Sequence, residues 1–106
     1  MQLLKRNNRP TAIFAANDDM AAGVIRVADR LGIRVPDELS VAGFDDIALA
    51  RQIYPALTTI NQPLSAMAEH AAVALIAAVR GKRPLLGTEI VPATLQIRES
   101  TGPAPD

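Results

Sequence analysis

The sequence contains no cysteine and no tryptophan, and it has a single histidine. Without cysteine the chain cannot form disulfides, use a thiol in catalysis or hold a metal through thiolates, and this composition is consistent with a reducing compartment. The aromatic residues are two phenylalanines and one tyrosine. A ligand that stacks against aromatic rings would therefore find few partners in this chain.

Neither charge of one sign nor hydrophobicity is concentrated in one long stretch. The 11 basic and 11 acidic residues are interspersed, whereas a nucleic-acid-binding surface normally shows a basic excess or stripe. The longest stretch of low charge, residues 71–79, is too short to cross a bilayer, and the first residues lack the apolar core of a signal peptide. We therefore expect a cytoplasmic chain that contacts neither a membrane nor, by itself, DNA or RNA.

Two apolar runs end abruptly in polar clusters. Residues 11–16 precede an Asn-Asp-Asp cluster at 17–19, and residues 39–44 precede Asp45 and Asp46. Unbroken apolar runs are typical of strands buried on both faces of a parallel sheet, and in α/β proteins ligands bind beyond the carboxyl ends of such strands. With 49% apolar residues, the chain is expected to be globular, and this edge is expected to bind a small polar ligand.

The polar residues of this edge leave several roles open. Asn17 or Asp18 can cap the helix that follows, and Asp45 and Asp46 can belong to an ordinary turn. Because successive strand side chains point in opposite directions, one of Asp45 and Asp46 is expected to face a ligand, and the spacing does not decide which. A magnesium site would need a lysine at a later strand end, and no lysine is suitably placed. We predict no metal and no cofactor.

A helix is predicted over residues 19–31, with one face toward the sheet and a second strip beside it. The residues at helical spacing that would face the sheet are Met20, Val24, Val27, Ala28 and Leu31. The second strip comprises Ala22, Ile25, Arg26 and Asp29, which are either scattered surface residues or a subunit contact.

The rest of the chain is predicted to form a strand over 57–61, a helix over 65–80, late strands over 89–92 and 94–98, and a tail from residue 99. The helix would pack through the face formed by Met67, Ala71, Ala74, Leu75 and Ala78. Its histidine, His70, is not expected to be catalytic, since neither a nucleophile elbow nor a phosphate-binding glycine loop is present. No enzymatic activity is predicted.

Several segments follow one another in an order that matches a known family. They are PTAIFAAND at residues 10–18, MAAG at 20–23, GIRVP at 32–36, VAGFDD at 41–46, PALTTI at 55–60 and LQIREST at 95–101. Over residues 9–101 the chain resembles the C-terminal part of a LacI/GalR-family transcriptional repressor.

The resemblance implies a partial α/β fold of the type I periplasmic-binding-protein-like kind, with a parallel sheet. Residues 9–62 and 92–101 would form the second half of the C-terminal lobe, and residues 63–91 a crossover segment whose helix belongs to the N-terminal lobe. The chain would be a C-terminal fragment of an effector domain, with the DNA-binding domain absent. The Met67 and Leu75 face of that helix would then lack its packing partner within this chain.

For function, the resemblance implies a ligand-responsive repressor in which a small polar effector, such as a sugar or nucleobase, shifts the lobes and the operator affinity. By position, Asn17 and Asp45 match effector contacts, with Asp18, Phe44 and Asp46 supporting or capping them. The dimer interface would comprise Ala22, Ile25, Arg26, Asp29 and Ile53. Operator DNA would be bound only through a domain outside this chain.

The alternative is a segment of a ribose-type periplasmic sugar-binding protein that serves transport. Such proteins carry an export signal upstream and usually lack an ending like the Arg-Glu-Ser-Thr at residues 98–101. This ending favours the repressor.

Overall fold

The computed structural model describes residues 2–82, 84 and 87–106. The backbone divides into two compact units, the first formed by the residues up to Asn61 together with Thr94–Asp106, and the second by Gln62–Ala93. The first unit holds a short 3-10 helix at Leu3–Lys5, strands β1 (Ala12–Phe14), β2 (Ser40–Ala42), β3 (Thr59–Asn61) and β4 (Thr94–Gln96), and helices α1 (Asp18–Arg30) and α2 (Leu49–Gln52). The second unit holds helix α3 (Leu64–Val79).

The strands of the first unit run so that β1, β2 and β3 end at the same edge. β1 pairs with β2 in parallel, with Ile13 opposite Val41. A further parallel bridge joins Ala42 to Thr58, just before β3. β4 then pairs antiparallel to β3. The predicted α/β class with parallel strands is confirmed, and the polar clusters after β1 and β2 lie at one edge.

The face that α1 turns to the core differs from the predicted one. Ala21 and Ala28 are fully buried and Ile25 is 7% exposed, while Met20 and Leu31 are 56% and 36% exposed. Ala21, Ile25 and Ala28 recur at helical spacing, and the small alanines let α1 lie close to the strands. The prediction is right for Val24, Val27 and Ala28, which pack on the core, and wrong for Met20 and Leu31. It is also wrong in assigning Ile25 to an outer strip, because Ile25 belongs to the core.

Helix α3 presents apolar side chains to solvent. Along Leu64–Val79, all of which the structure describes, no side chain is buried. Met67 and Leu75 are 40% and 55% exposed. Within the part of the chain that the structure describes, this face of α3 is not buried, as predicted.

The C-terminal part of the chain differs from the prediction in two ways. Residues 88–93, all described, form neither helix nor strand, so the predicted strand over 89–92 is wrong. The predicted tail is also wrong at its start, because Ser100 is fully buried. The Val41 amide donates to the Ser100 carbonyl at 2.8 Å, and the Ser100 hydroxyl donates to the Val41 carbonyl at 2.6 Å. That hydroxyl also accepts from the Thr58 amide at 2.8 Å.

Replacing the buried hydroxyl should destabilise the first unit. Ser100→Ala leaves the Val41 carbonyl and the Thr58 amide without their partner, which should lower the free energy of unfolding by about 1–3 kcal/mol in urea denaturation. The matched control is Ser65→Ala at an exposed position of α3, which should change stability by no more than about 0.5 kcal/mol. Equal stability of Ser100→Ala and the parent would mean that these backbone groups are satisfied without the hydroxyl.

Candidate functional site

Hydrogen bonds join the segments that follow β1 and β2 at the strand-end edge. The Asp18 amide donates to the Phe44 carbonyl at 3.0 Å, and the Ile47 amide donates to Asp18 Oδ2 at 2.8 Å. Phe44 thus supports the edge through its backbone. The two polar clusters predicted to lie together form one connected site.

Asn17 caps helix α1. Its backbone is extended, and its side-chain Oδ1 accepts a hydrogen bond from the Met20 amide at 2.8 Å. This settles the capping choice that the sequence left open, because Asp18 is the first residue of the helix itself. With the carbonyl oxygen used for the cap, the amide nitrogen of Asn17 is the group that can donate to a ligand.

Asp18 is a buried connector. Its exposure is 1%, and each carboxylate oxygen accepts a hydrogen bond. Oδ1 accepts from the Thr59 hydroxyl at 2.5 Å, and Oδ2 accepts from the Ile47 amide, as above. Both oxygens accept hydrogen bonds within the protein. Asp18 therefore links three parts of the fold: helix α1, the segment that follows β2, and strand β3.

Asp45 and Asp46 leave the extended conformation of the strand. Their φ angles are 112° and 55°, in the region that favours glycine. Each such residue costs on the order of 1–3 kcal/mol and persists only where its surroundings hold it. The Asp45 amide is fixed by donating to the Ile60 carbonyl at 2.9 Å. The alternation expected of a regular strand therefore does not govern where these two side chains point.

Asp46 braces the segment after β2. Its side chain is 1% exposed, and Oδ1 accepts from Arg98 Nη2 at 2.7 Å. Oδ2 accepts from Asn61 Nδ2 at 2.9 Å and lies 3.5 Å from Arg51 Nη2. Asp46 thus has an internal role in the fold, although both aspartates are half-buried when the whole residue is counted.

The surroundings of Asp46 favour its charged form. Burial alone would raise the pKa of this carboxyl, but hydrogen bonds from Asn61 and Arg98, with the charges of Arg98 and Arg51, hold the pKa below its ordinary value of 3.8. A carboxyl whose folded pKa is lowered stabilises the fold above its unfolded pKa. That stabilisation is lost as the pH falls through the folded pKa.

Acid denaturation should reveal the contribution of the Asp46 carboxylate to stability. Asp46 should contribute stability that is fully present above about pH 4, near the unfolded pKa of aspartate, and that is lost below it. In Asp46→Asn the free energy of unfolding should be lower at neutral pH and should fall less steeply below about pH 4. Urea denaturation at a series of pH values measures both slopes. Identical slopes in the variant and the parent would contradict the assignment.

Thr59, Asn61 and Arg98 complete the site, although the sequence analysis did not single them out for it. Thr59 is fully buried, and the Arg98 side chain is 16% exposed. Arg98 also donates from Nη1 to the Leu57 carbonyl at 2.9 Å. The sequence pattern that could have identified them is that all three are polar residues within predicted strands. That pattern does not indicate which distant carboxylate each of them contacts.

The residues predicted for the dimer interface line a second surface. Ala22, Ile25, Arg26, Asp29 and Ile53 all line a groove of about 710 Å³, beside Tyr54 and Pro55. Tyr54 is 90% exposed. Ile25 forms only the buried floor of this groove, whereas Arg26 and Asp29 are exposed at its rim. We call this surface the α1 groove.

Two general features of the described residues bear on function. They contain no cluster of three or more His, Cys, Asp or Glu side chains that could hold a metal ion. No helix in the described part of the chain combines the length and the apolar character that a membrane span requires.

Residues 1–101 match the model of the periplasmic binding protein-like domain, and the chain belongs to that family. Its relatives within the family are regulators of the LacI type. The HTH-type transcriptional repressor PurR of Erwinia tasmaniensis is 41% identical over 104 residues, covering 98% of this chain and 30% of that protein.

Solved structures give the same placement. The lac repressor dimer bound to operator and the anti-inducer ONPF aligns with a TM-score of 0.87 at 33% identity, over 94% of this chain and 35% of that chain. A LacI family transcriptional regulator from Enterococcus faecium with bound ribose aligns with a TM-score of 0.80 at 31% identity, over 98% of this chain and 37% of that one. The chain is similar to part of these LacI-type regulators, and it spans 30% to 37% of their length.

Proposed function

We propose that this chain is the effector-binding and dimerisation part of a ligand-responsive transcriptional repressor. The observation that carries the proposal is the placement of Asn17 and Asp45 at the strand-end edge. Asn17 follows β1 and Asp45 follows β2, the parallel pairing of these strands brings both residues to one edge, and both are half-buried there. Asn17 and Asp45 are the residues that contact the effector.

The effector is a small polar molecule of the sugar or nucleobase type. A carboxylate accepts hydrogen bonds from neighbouring hydroxyl or N–H groups, and an asparagine amide donates beside it. The ribose bound to the similar Enterococcus faecium regulator supports the sugar class. The relatives are repressors, which disfavours a role in transport.

The effector acts by shifting two lobes. Residues 9–62 and 92–101 belong to the lobe that carries Asn17 and Asp45, and residues 63–91 to the other lobe. The division of the backbone at Asn61 and Thr94 supports these boundaries. Operator DNA is contacted by a separate domain outside this chain, which agrees with the balanced charge of the 106 residues. The protein acts in the cytoplasm.

Loss of the Asp45 charge should weaken the response to the effector. In the product of the complete gene, a thermal shift screen of D-ribose, D-glucose, cellobiose, hypoxanthine and guanine identifies the compound that stabilises the parent protein. Asp45→Asn should weaken its binding about tenfold to a hundredfold, since a hydrogen bond to a charged group contributes about 1.5–3 kcal/mol. The control is Asp106→Asn, an exposed residue outside both the strand-end edge and the α1 groove. Equal stabilisation of Asp45→Asn and the parent would make Asp45 a structural residue.

The α1 groove should form the dimer contact. A longer, charged side chain in it would have to be accommodated and desolvated on association, so Ala22→Glu should raise the dimer dissociation constant by at least about tenfold. Sedimentation equilibrium of the complete protein measures that constant. Met20→Glu is the control, because Met20 is 56% exposed on the same helix and does not line the groove. A dimer unaffected by Ala22→Glu would place the interface elsewhere.

A further inference from the structure

Asp45 has a backbone conformation that it would not adopt by itself. Its φ of 112° is followed by a φ of 55° at Asp46, and two consecutive residues other than glycine in this region persist only where their neighbours fix them. The backbone conformation at Asp45 therefore depends on whatever fixes this pair of residues.

The side-chain carboxylate of Asp46 helps to fix this pair of residues. Both oxygens of Asp46 accept hydrogen bonds, one from Arg98 at 2.7 Å and one from Asn61 at 2.9 Å. Arg98 is itself fixed, since its backbone amide donates to the Thr58 hydroxyl at 2.9 Å and its Nη1 donates to the Leu57 carbonyl. The side chain of Asp46 is thus anchored to β3 and to the segment after β4.

A second contact holds the other end of the same turn. The Ile47 amide donates to the buried carboxylate of Asp18 at 2.8 Å, and the Asp45 amide donates to the Ile60 carbonyl at 2.9 Å. The turn is therefore fixed on both sides of Asp46. The anchor opposite Asp18 is the ion pair between Asp46 and Arg98, with side chains 1% and 16% exposed.

We propose that the Asp46–Arg98 ion pair is a positioning device that holds Asp45 in the conformation required for effector binding. Neither residue touches the effector. A buried ion pair is a weak source of net stability, because the cost of removing both charges from water offsets their attraction. The pair instead fixes the backbone of the turn, and Arg98 compensates the negative charge of Asp46 beside Asp45. This inference rests on the proposed role of Asp45 in effector binding.

Hydrogen exchange tests the positioning without any effector. In the product of the complete gene, mass spectrometry of peptides covering residues 44–48 reports the Asp45 and Ile47 amides, and peptides from α1 report the rest of the fold. Arg98→Met should accelerate exchange of residues 44–48 by about tenfold or more and leave α1 unchanged. Arg51→Met is the matched control, since Arg51 lies 3.5 Å from Asp46 with a side chain 68% exposed. Unchanged exchange of residues 44–48 in Arg98→Met would overturn the proposal.

Milder variants cover the case in which Arg98→Met destabilises the whole fold, which faster exchange in α1 would reveal. Asp46→Asn keeps the shape of the side chain and tolerates a left-handed backbone, but it removes the charge. Arg98→Lys keeps the charge but loses the planar fork that reaches Asp46 and the Leu57 carbonyl at once. Both should accelerate exchange of residues 44–48, and less than Arg98→Met does. If neither does so while α1 is unchanged, the ion pair does not position Asp45.

Effector affinity separates this inference from the proposed function. With the compound that stabilises the parent among D-ribose, D-glucose, cellobiose, hypoxanthine and guanine, calorimetry should show Arg98→Met binding at least about tenfold more weakly, and Arg51→Met binding normally. Weak binding by Asp45→Asn with normal binding by Arg98→Met would overturn the positioning role and leave the proposed function intact. Normal binding by Asp45→Asn would overturn the effector contact itself and, with it, the purpose assigned to the ion pair.

Discussion

The buried carboxylate of Asp18 is the contact on which the arrangement of the first unit depends. A carboxylate removed from water is costly unless its oxygens are hydrogen-bonded, and Asp18 meets this condition through Thr59 on β3 and Ile47 after β2. A side chain at position 43 would collide with Asp18 and press on Leu57, so Gly43 leaves the space that this carboxylate occupies. The strand-end edge is therefore assembled around the hydrogen-bonded carboxylate of Asp18. Asn17 directly precedes Asp18 in the sequence, and Asp45 follows β2 at the same edge.

The existence of this edge could be predicted, but the roles of its residues could not. Apolar runs that end in Asn17 and Asp45 are local signals, and the parallel pairing of β1 and β2 brings their ends together as expected. The choice between Asp45 and Asp46 depends on Arg98, which lies far along the chain and becomes a neighbour only in the folded protein. The left-handed backbone at both aspartates has no local signal, because neither is a glycine.

The errors along the rest of the chain have one physical origin, which is that packing overrides local preference. Alanine is weakly hydrophobic, yet Ala21, which the prediction left off the core face, is fully buried because small side chains allow α1 to approach the strands. The residues at 89–92 favour a strand, but the structure gives them no strand to pair with. Ser100 was read as part of a tail, and its hydroxyl instead satisfies two buried backbone groups.

The pairing of β3 with β4 has a consequence for how the chain is built. Asn61 and Thr94 face each other as the last pair of an antiparallel ladder, so the chain leaves the first unit and re-enters it at adjacent points. Residues 62–93 are therefore the long loop of a β-hairpin, in topological terms, and a short turn could close the same ladder. The entropy of closing a loop rises only slowly with its length. The register of β3 and β4 is therefore set by the ladder itself and not by the length of the segment between them.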